Sequence, residues 1–175
     1  MVAALTKSTT PEAIRDTLQT PWPIFHRIQQ VTGLQFQHDV CAAKATAKCS
    51  SFWHRGHNAL SKRWADYFPP LTPLWMNPPY SDPRPWVEKA AEAAADGLIV
   101  VGLIPNITSS TWYPEYVEGR ASTLLHPDGR ISFCTPAGKL ISGNPWPSVV
   151  PIWTPWQVKV PAVGRFERPK RGDER

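Results

Sequence analysis

LWMNPPYSDPRPWVEKAAEAAADGLIVVGLIP, residues 74–105, changes character at Asn77, at Pro83 and again at Gly97. Leu74, Trp75 and Met76 make a short apolar run, the pattern of a buried strand. Asn77, two prolines and Tyr80 then interrupt it. From Pro83 good helix formers continue through Ala95, with Pro85 in the first turn and Gly97 beyond the end. Leu98 to Pro105 is continuously apolar and rich in Leu, Ile and Val, which suits a strand covered on both faces, as in a parallel sheet. Strand, helix and strand form one right-handed crossover unit, and that unit predicts an α/β domain.

The flanks extend this pattern. Thr10 is placed to cap a helix beginning at Pro11, with Ile14 and Leu18 on one face and Pro21 as its end. A second helix from Trp22 puts Trp22, Phe25 and Ile28 on one stripe and stops near Gly33. In LQFQHDV, residues 34–40, Leu34, Phe36, His38 and Val40 alternate with Gln35, Gln37 and Asp39, so a strand is expected that ends at Asp39. Residues 42–70 are weakly periodic. Beyond the crossover, TSSTWYPEYVEG predicts a short helix ended by Gly119. STLLHPDGRISFCTP, residues 122–136, predicts two strands paired around a Pro-Asp-Gly turn, and SVVPIW a last strand. The expected fold is α/β, with a central, mostly parallel sheet and an antiparallel hairpin near the C-terminus.

At 175 residues the chain fits one domain. Residues 1–164 are expected to form it, and residues 165–175, RFERPKRGDER, a polar basic tail without order. Twenty prolines and nine tryptophans imply stiff connections and aromatic packing. No apolar run reaches the ~20 residues that span a bilayer, so a cytoplasmic protein without membrane contact is expected. Cys41, Cys49 and Cys134 are too few for a disulfide framework. A net charge of +5 mildly favours an anionic partner. The oligomeric state is not encoded in any pattern found.

In open α/β sheets ligands bind beyond the carboxyl ends of the strands, where Asn77 to Tyr80 falls. An exocyclic amino group on a base is a poor nucleophile because its lone pair is delocalised into the ring. Two carbonyls, those of the Asn77 side chain and the Pro78 backbone, can accept its two hydrogens and favour a pyramidal nitrogen aimed at a methyl donor. Pro78 and Pro79 remove competing backbone donors and stiffen the loop. Tyr80 offers a flat face to a base taken out of its stack. The alternative is ordinary loop punctuation followed by a packing tyrosine.

The tetrapeptide resembles the catalytic motif of amino-group methyltransferases that use S-adenosylmethionine. Together with QTPWPIF, HDVCAAKATAKC, GLIPNITSSTWYPEYV, GRISF and NPWPSVVPIW, it resembles the ordered landmarks of phage-type DNA N6-adenine methyltransferases over residues 19–153. The resemblance implies a Rossmann-like methyltransferase fold and transfer of a methyl group from S-adenosylmethionine to the N6 amino group of adenine in DNA. It implies that Asn77 and Pro78 hold that group, with Pro79 stiffening the turn and Tyr80 stacking on the base. Cofactor contact falls on Thr20, Pro21 and Asp39, and on Asn58 where the ribose would lie. A location in the host cell cytoplasm follows if the gene is a phage gene.

Two departures stand out. The loop DVCAAKA has no glycine where methyltransferases usually bring backbone close to the cofactor. In HNAL, His57 or Asn58 stands where an acidic residue would bind ribose hydroxyls. They keep open a non-catalytic DNA-binding or interaction protein, while the tetrapeptide, which can equally present a protein glutamine or another planar amino group, keeps open a methyltransferase with a different acceptor.

Lys44, Lys48, Arg55, Lys62 and Arg63, interleaved with Phe52, Trp53 and Trp64, suit DNA phosphate contact; a solvated face over a tryptophan core is the alternative. His38, Cys41, Cys49, His54 and His57 crowd together, but no Cys-x-x-Cys pair is present, and no metal site is expected.

Overall fold

The computed structural model describes residues 16–141 and 146–169. Its α-helices are α1 (Trp22–Thr32) and α2 (Arg84–Ala95), and a π-helical turn covers Tyr113–Glu118 before Gly119. Its strands are β1 (His38–Asp39), β2 (Ser51–Phe52), β3 (Pro73–Met76), β4 (Ile99–Gly102), β5 (Ile104–Pro105), β6 (Thr123–Pro127), β7 (Phe133–Cys134), β8 (Leu140–Ile141), β9 (Ser148–Trp153) and β10 (Ala162–Phe166). The central sheet runs β10-β6-β9-β4-β3-β1-β2, with β5 also paired to β9. The β2–β1, β1–β3, β3–β4 and β6–β10 pairs are parallel, and β9 lies reversed between β4 and β6.

The crossover unit read from residues 74–105 stands at the centre of this sheet. Pro73 to Met76 pair in register with Ile99 to Gly102. Leu74 and Met76 face the α2 side together with Val100 and Ile104, while Trp75 faces the α1 side with Ile99, Val101 and Leu103. Both faces are covered, which is why the apolar run shows no alternation. Ala90, Ala91, Ala93 and Ala94 are buried and let α2 lie close on the sheet. Gly102 is required by the same closeness, because a Cβ there would meet the Trp153 ring at 3.0 Å and the Met76 methyl at 3.1 Å.

On the opposite face, α1 packs Ile24, Phe25 and Ile28 against Phe36 and Trp75. Gly33 ends it with φ 69. Trp22, expected on the buried stripe, is 48% exposed, and Ile24 takes its place. The alternation of LQFQHDV is visible in burial, with Phe36, His38 and Val40 inside and Gln35 and Gln37 outside, although only two residues make strand pairs. Trp112 packs into the core.

Two further expectations change. The hairpin near the C-terminus exists, but β7 and β8 form it, while β6 pairs with β9 and β10. The Pro-Asp-Gly turn therefore leads out of the sheet. Arg165 and Phe166, expected in the tail, complete β10, because Phe166 is an apolar anchor that packs 4% exposed into the α1-side core. The helix expected from Thr10 lies mostly outside the described residues, as do residues 170–175 of the tail. The stretch from Asp16 instead leads through a turn to a bridge between Gln19 and Cys134.

Candidate active site

A cleft of about 760 Å³ opens at the carboxyl ends of β1 and β3. That size lies within the roughly 300–1,000 Å³ of small-molecule sites. Its walls come from residues 16–20, the loop after β1, the turns at residues 53–60, and Asn77 to Tyr80, with Phe133, Ile141 and Trp146 on the far side. The loops after β1, β2 and β3 meet because parallel strands deliver their loops to the same sheet edge, and residues 16–20 are brought to them by the bridge between Gln19 and Cys134.

Asn77, Pro78, Pro79 and Tyr80 all line this cleft. Asn77 leaves the central strand directly after the buried Met76, so its position is fixed by strands on both sides. Its Oδ1 is buried and has no hydrogen-bond partner. An acceptor left so costs roughly 1–3 kcal/mol, which a ligand donor would return. Tyr80 shares a hydrogen bond between its hydroxyl and Ser148 Oγ at 3.0 Å, and its ring meets Phe133 edge-on at 5.2 Å. Burial holds the Tyr80 phenol above its usual range, against the opposing effect of Ser148. The hydroxyl's bond to Ser148 and the edge contact with Phe133 together fix the plane of the ring.

Asp39 ends β1 at the cleft, 3% exposed. Its Oδ1 accepts from the Cys41 N–H at 3.2 Å and its Oδ2 from the Lys48 N–H at 3.0 Å. Between them, Thr46 Oγ1 accepts from the Ala43 N–H, and the Ala43 carbonyl accepts from Thr46 and Ala47. None of residues 40–49 has a positive φ. The carboxylate thus closes the loop in conformations any residue adopts, and glycine is not needed there. Burial raises the Asp39 pKa to about 6, against the two backbone hydrogen bonds and the Lys48 charge.

Thr20 also lines the cleft, 1% exposed, with its Oγ1 lacking a partner. Pro21 is buried behind it and starts α1 by accepting from the Phe25 N–H. Asn58 lines the cleft and His57 does not. Asn58 joins two short 3₁₀ turns at φ 47, a left-handed conformation that asparagine tolerates. The His57 ring turns away, its Nδ1 accepting from the His54 N–H.

The five cations of the basic stretch separate. Lys44 and Arg55 are exposed, Arg55 on the cleft wall. Arg63 is engaged by Asp96 at 2.9 Å and by Asp66. Lys62 lies 4.7 Å over the Tyr67 ring. Lys48 is enclosed, 7% exposed, with its ammonium bonded to Gln19 Oε1 at 2.9 Å. Trp53 and Trp64 belong to the core, the second donating to the Ala59 carbonyl. Sequence reading missed Ser148, Gln19 and Phe133, whose partners are 68, 29 and 53 positions away. Among the described residues, no three His, Cys, Asp or Glu side chains are grouped to hold a metal.

A mostly parallel α/β sheet with one reversed strand, and a strand-end cleft carrying an unpaired asparagine acceptor, defines a methyltransferase-like protein. The chain belongs to the DNA N-6-adenine-methyltransferase (Dam) family, whose model matches residues 7–173. It is 29% identical over 153 residues to the DNA N-6-adenine-methyltransferase of Haemophilus phage HP1 (strain HP1c1), covering 86% of each chain. It is 28% identical over 156 residues to the DNA N-6-adenine-methyltransferase of Escherichia phage T1, covering 81% of this chain and 63% of that one. No solved structure matches the chain significantly. The family's reaction requires DNA as acceptor and a methyl donor. No helix among the described residues is long and apolar enough to cross a membrane.

Proposed function

We propose that the cleft methylates the N6 amino group of an adenine in DNA, that Asn77 and Pro78 hold that group, and that S-adenosylmethionine binds toward Asp39. The observation that carries this reading is the buried Asn77 Oδ1 without a partner on the cleft wall. Its natural complement is an amino N–H. A base that donates one hydrogen to Asn77 Oδ1 and the other to the Pro78 carbonyl has its nitrogen lone pair directed away from both acceptors. Pro78 and Pro79 bring no N–H that competes for those acceptors. The base lies against Tyr80, whose ring is held by Ser148 and Phe133.

The cleft fits a nucleoside-linked donor: Val40, Trp53 and Leu60 give apolar wall, and Thr20, Asp39 and Asn58 give polar ends. Bound there, S-adenosylmethionine supplies an electrophilic methyl group on a sulfonium. Transfer would join the methyl carbon to the amino nitrogen and leave the donor as its neutral thioether, and the surplus proton on that nitrogen would pass to solvent water. Asn77 and the Pro78 carbonyl hold that proton's N–H as it becomes acidic. Thr20, Pro21, Asp39 and Asn58 orient the donor, directly or through the segments they brace. Lys44 and Arg55 are the cations best placed for DNA phosphates, and Lys62 and Arg63 would have to leave their present partners to join them.

The test is incubation of the purified protein with methyl-labelled S-adenosylmethionine and mixed-sequence DNA. N6-methyladenine is expected with wild type and a loss of about 100- to 1,000-fold with Asn77→Ala, the scale on which single preorganised electrostatic contacts count. Equal activity of the two proteins overturns the role of Asn77, and no N6-methyladenine from wild type overturns the reaction.

A further inference from the structure

Asp39 and Lys48 are the two charged side chains among the buried residues described, and both line the cleft. Asp39 is committed to two backbone amides. The Lys48 ammonium is not committed to any carboxylate: the ion pairs among the described residues do not include it. It donates to the neutral Gln19 Oε1 at 2.9 Å and lies 4.3 Å over the Trp22 ring. Gln19 is itself fixed, its Nε2 donating to the Thr135 carbonyl at 3.0 Å and its backbone bridging Cys134. An ammonium has three donors, and a buried one whose nearest carboxylate, Asp39, acts on it through space without a direct ion pair still carries a desolvation cost that an incoming anion offsets. Next to Gln19 in the chain, Thr20 Oγ1 is buried on the same cleft with no partner.

From this juxtaposition we infer that Lys48, with Thr20, is the binding site for the carboxylate of the methyl donor's amino-acid end, and is not a DNA phosphate contact. This rests on the donor assignment proposed above and adds the residue that recognises the donor's one anionic group. A zwitterionic end finds a cation at Lys48 and an anion at Asp39, so the polarity of this pair also sets which way round the donor lies.

The test is calorimetric titration of wild type, Lys48→Met and Lys48→Gln with S-adenosylmethionine and with its decarboxylated analogue. Wild type should prefer the carboxylate-bearing ligand by about tenfold or more, as truncating one partner of a buried charge pair costs at least that. Both variants should bind the two ligands alike, and Thr20→Val should lose part of the preference. Lys48→Gln keeps a hydrogen-bonding group beside Gln19, and thermal melting of both variants checks folding. In DNA titrations at several salt concentrations, both variants should keep the wild-type slope. A preference that survives in a folded Lys48 variant overturns the inference, as does a slope reduced by about one, the mark of a lost phosphate contact. Wild type binding neither ligand overturns the donor assignment itself, and this inference with it.

Discussion

The carboxyl end of β3 and the loop after β1 form two walls of one cleft, yet they are built on opposite plans. At β3 the site is local: Asn77 follows a buried central strand, two prolines fix the turn, and the buried, unpaired acceptor belongs to the first residue past the strand. After β1 the site is assembled at range. Asp39 ties the amides of Cys41 and Lys48, Lys48 reaches Gln19, and Gln19 is held by Cys134 and Thr135. The difference teaches that chemistry carried by consecutive residues survives as a motif, whereas a binding pocket made of distant partners leaves residues that resemble ordinary surface composition.

The contrast is broken most sharply at Asn77. Asn77→Ala should abolish methyl transfer by the roughly 100- to 1,000-fold stated above while leaving donor affinity within about twofold, because the donor wall is built elsewhere. A comparable loss of donor binding would show that the two walls do not act separately. Asn77→Asp keeps the acceptor and should retain more activity than alanine in the same methylation assay.

The β1 wall makes its own prediction through two neighbours with opposite titrations. Asp39 is raised from its ordinary value to about 6, mainly by burial. Its stabilising contribution is present below the unfolded pKa and is lost as pH rises through about 6. His38 is lowered to about 4, by burial and then by the His57 charge. Its contribution is present above its unfolded pKa and is lost as pH falls through about 4. Across the window from pH 4 to 6.5 the two slopes oppose each other. Asp39→Asn should therefore uncover a stability that climbs with pH over that window by about 3 kcal/mol, and His38→Phe the reverse slope. Urea denaturation at several pH values measures both. An unchanged profile in either variant would mean that the opposition is absent.

That pair also shows where the sequence stops being informative. The crossover unit, the strand ending at Asp39, the glycine cap at Gly33 and the tetrapeptide's place in the cleft were legible, because each rests on periodicity or on the backbone chemistry of Gly and Pro. The missing glycine after β1 looked like a defect, since the compensation is a side-chain carboxylate bonding amides two and nine residues ahead. The pairing of β7 with β8 was hidden because β6 offers an equally good strand, and its choice of β9 and β10 depends on the sheet's long-range order. Lys48 read as one member of a basic stretch; only the fold turns it inward.

Tyr80 sharpens the comparison on a smaller scale. Tyr80→Ala removes the ring and should weaken catalysis by the equivalent of about 1–3 kcal/mol, the range for base stacking on aromatic side chains. Tyr80→Phe keeps the face but leaves Ser148 Oγ without its hydroxyl partner, so its kcat/KM should fall only a few-fold and part of that loss should return in Tyr80→Phe combined with Ser148→Ala. Equal kcat/KM for the alanine and phenylalanine variants would contradict the stacking role.

Arg55 carries the smallest expected effect, and it separates the open rim of the cleft from its enclosed wall. Its side chain is exposed, and among the described residues no carboxylate is paired with the guanidinium as Asp96 is with Arg63. A phosphate contact at such a rim is electrostatic and independent of sequence, and neutralising it releases a counter-ion from the DNA. Arg55→Ala should therefore weaken DNA binding only modestly near physiological salt, reduce the slope of log affinity against log salt by about one, and leave donor binding unchanged. Salt titrations with DNA of unrelated sequences should give the same reduction in each. If the slope is unchanged while donor affinity falls, Arg55 belongs with Lys48 and Thr20 on the enclosed wall, and the rim contact must be sought at Lys44.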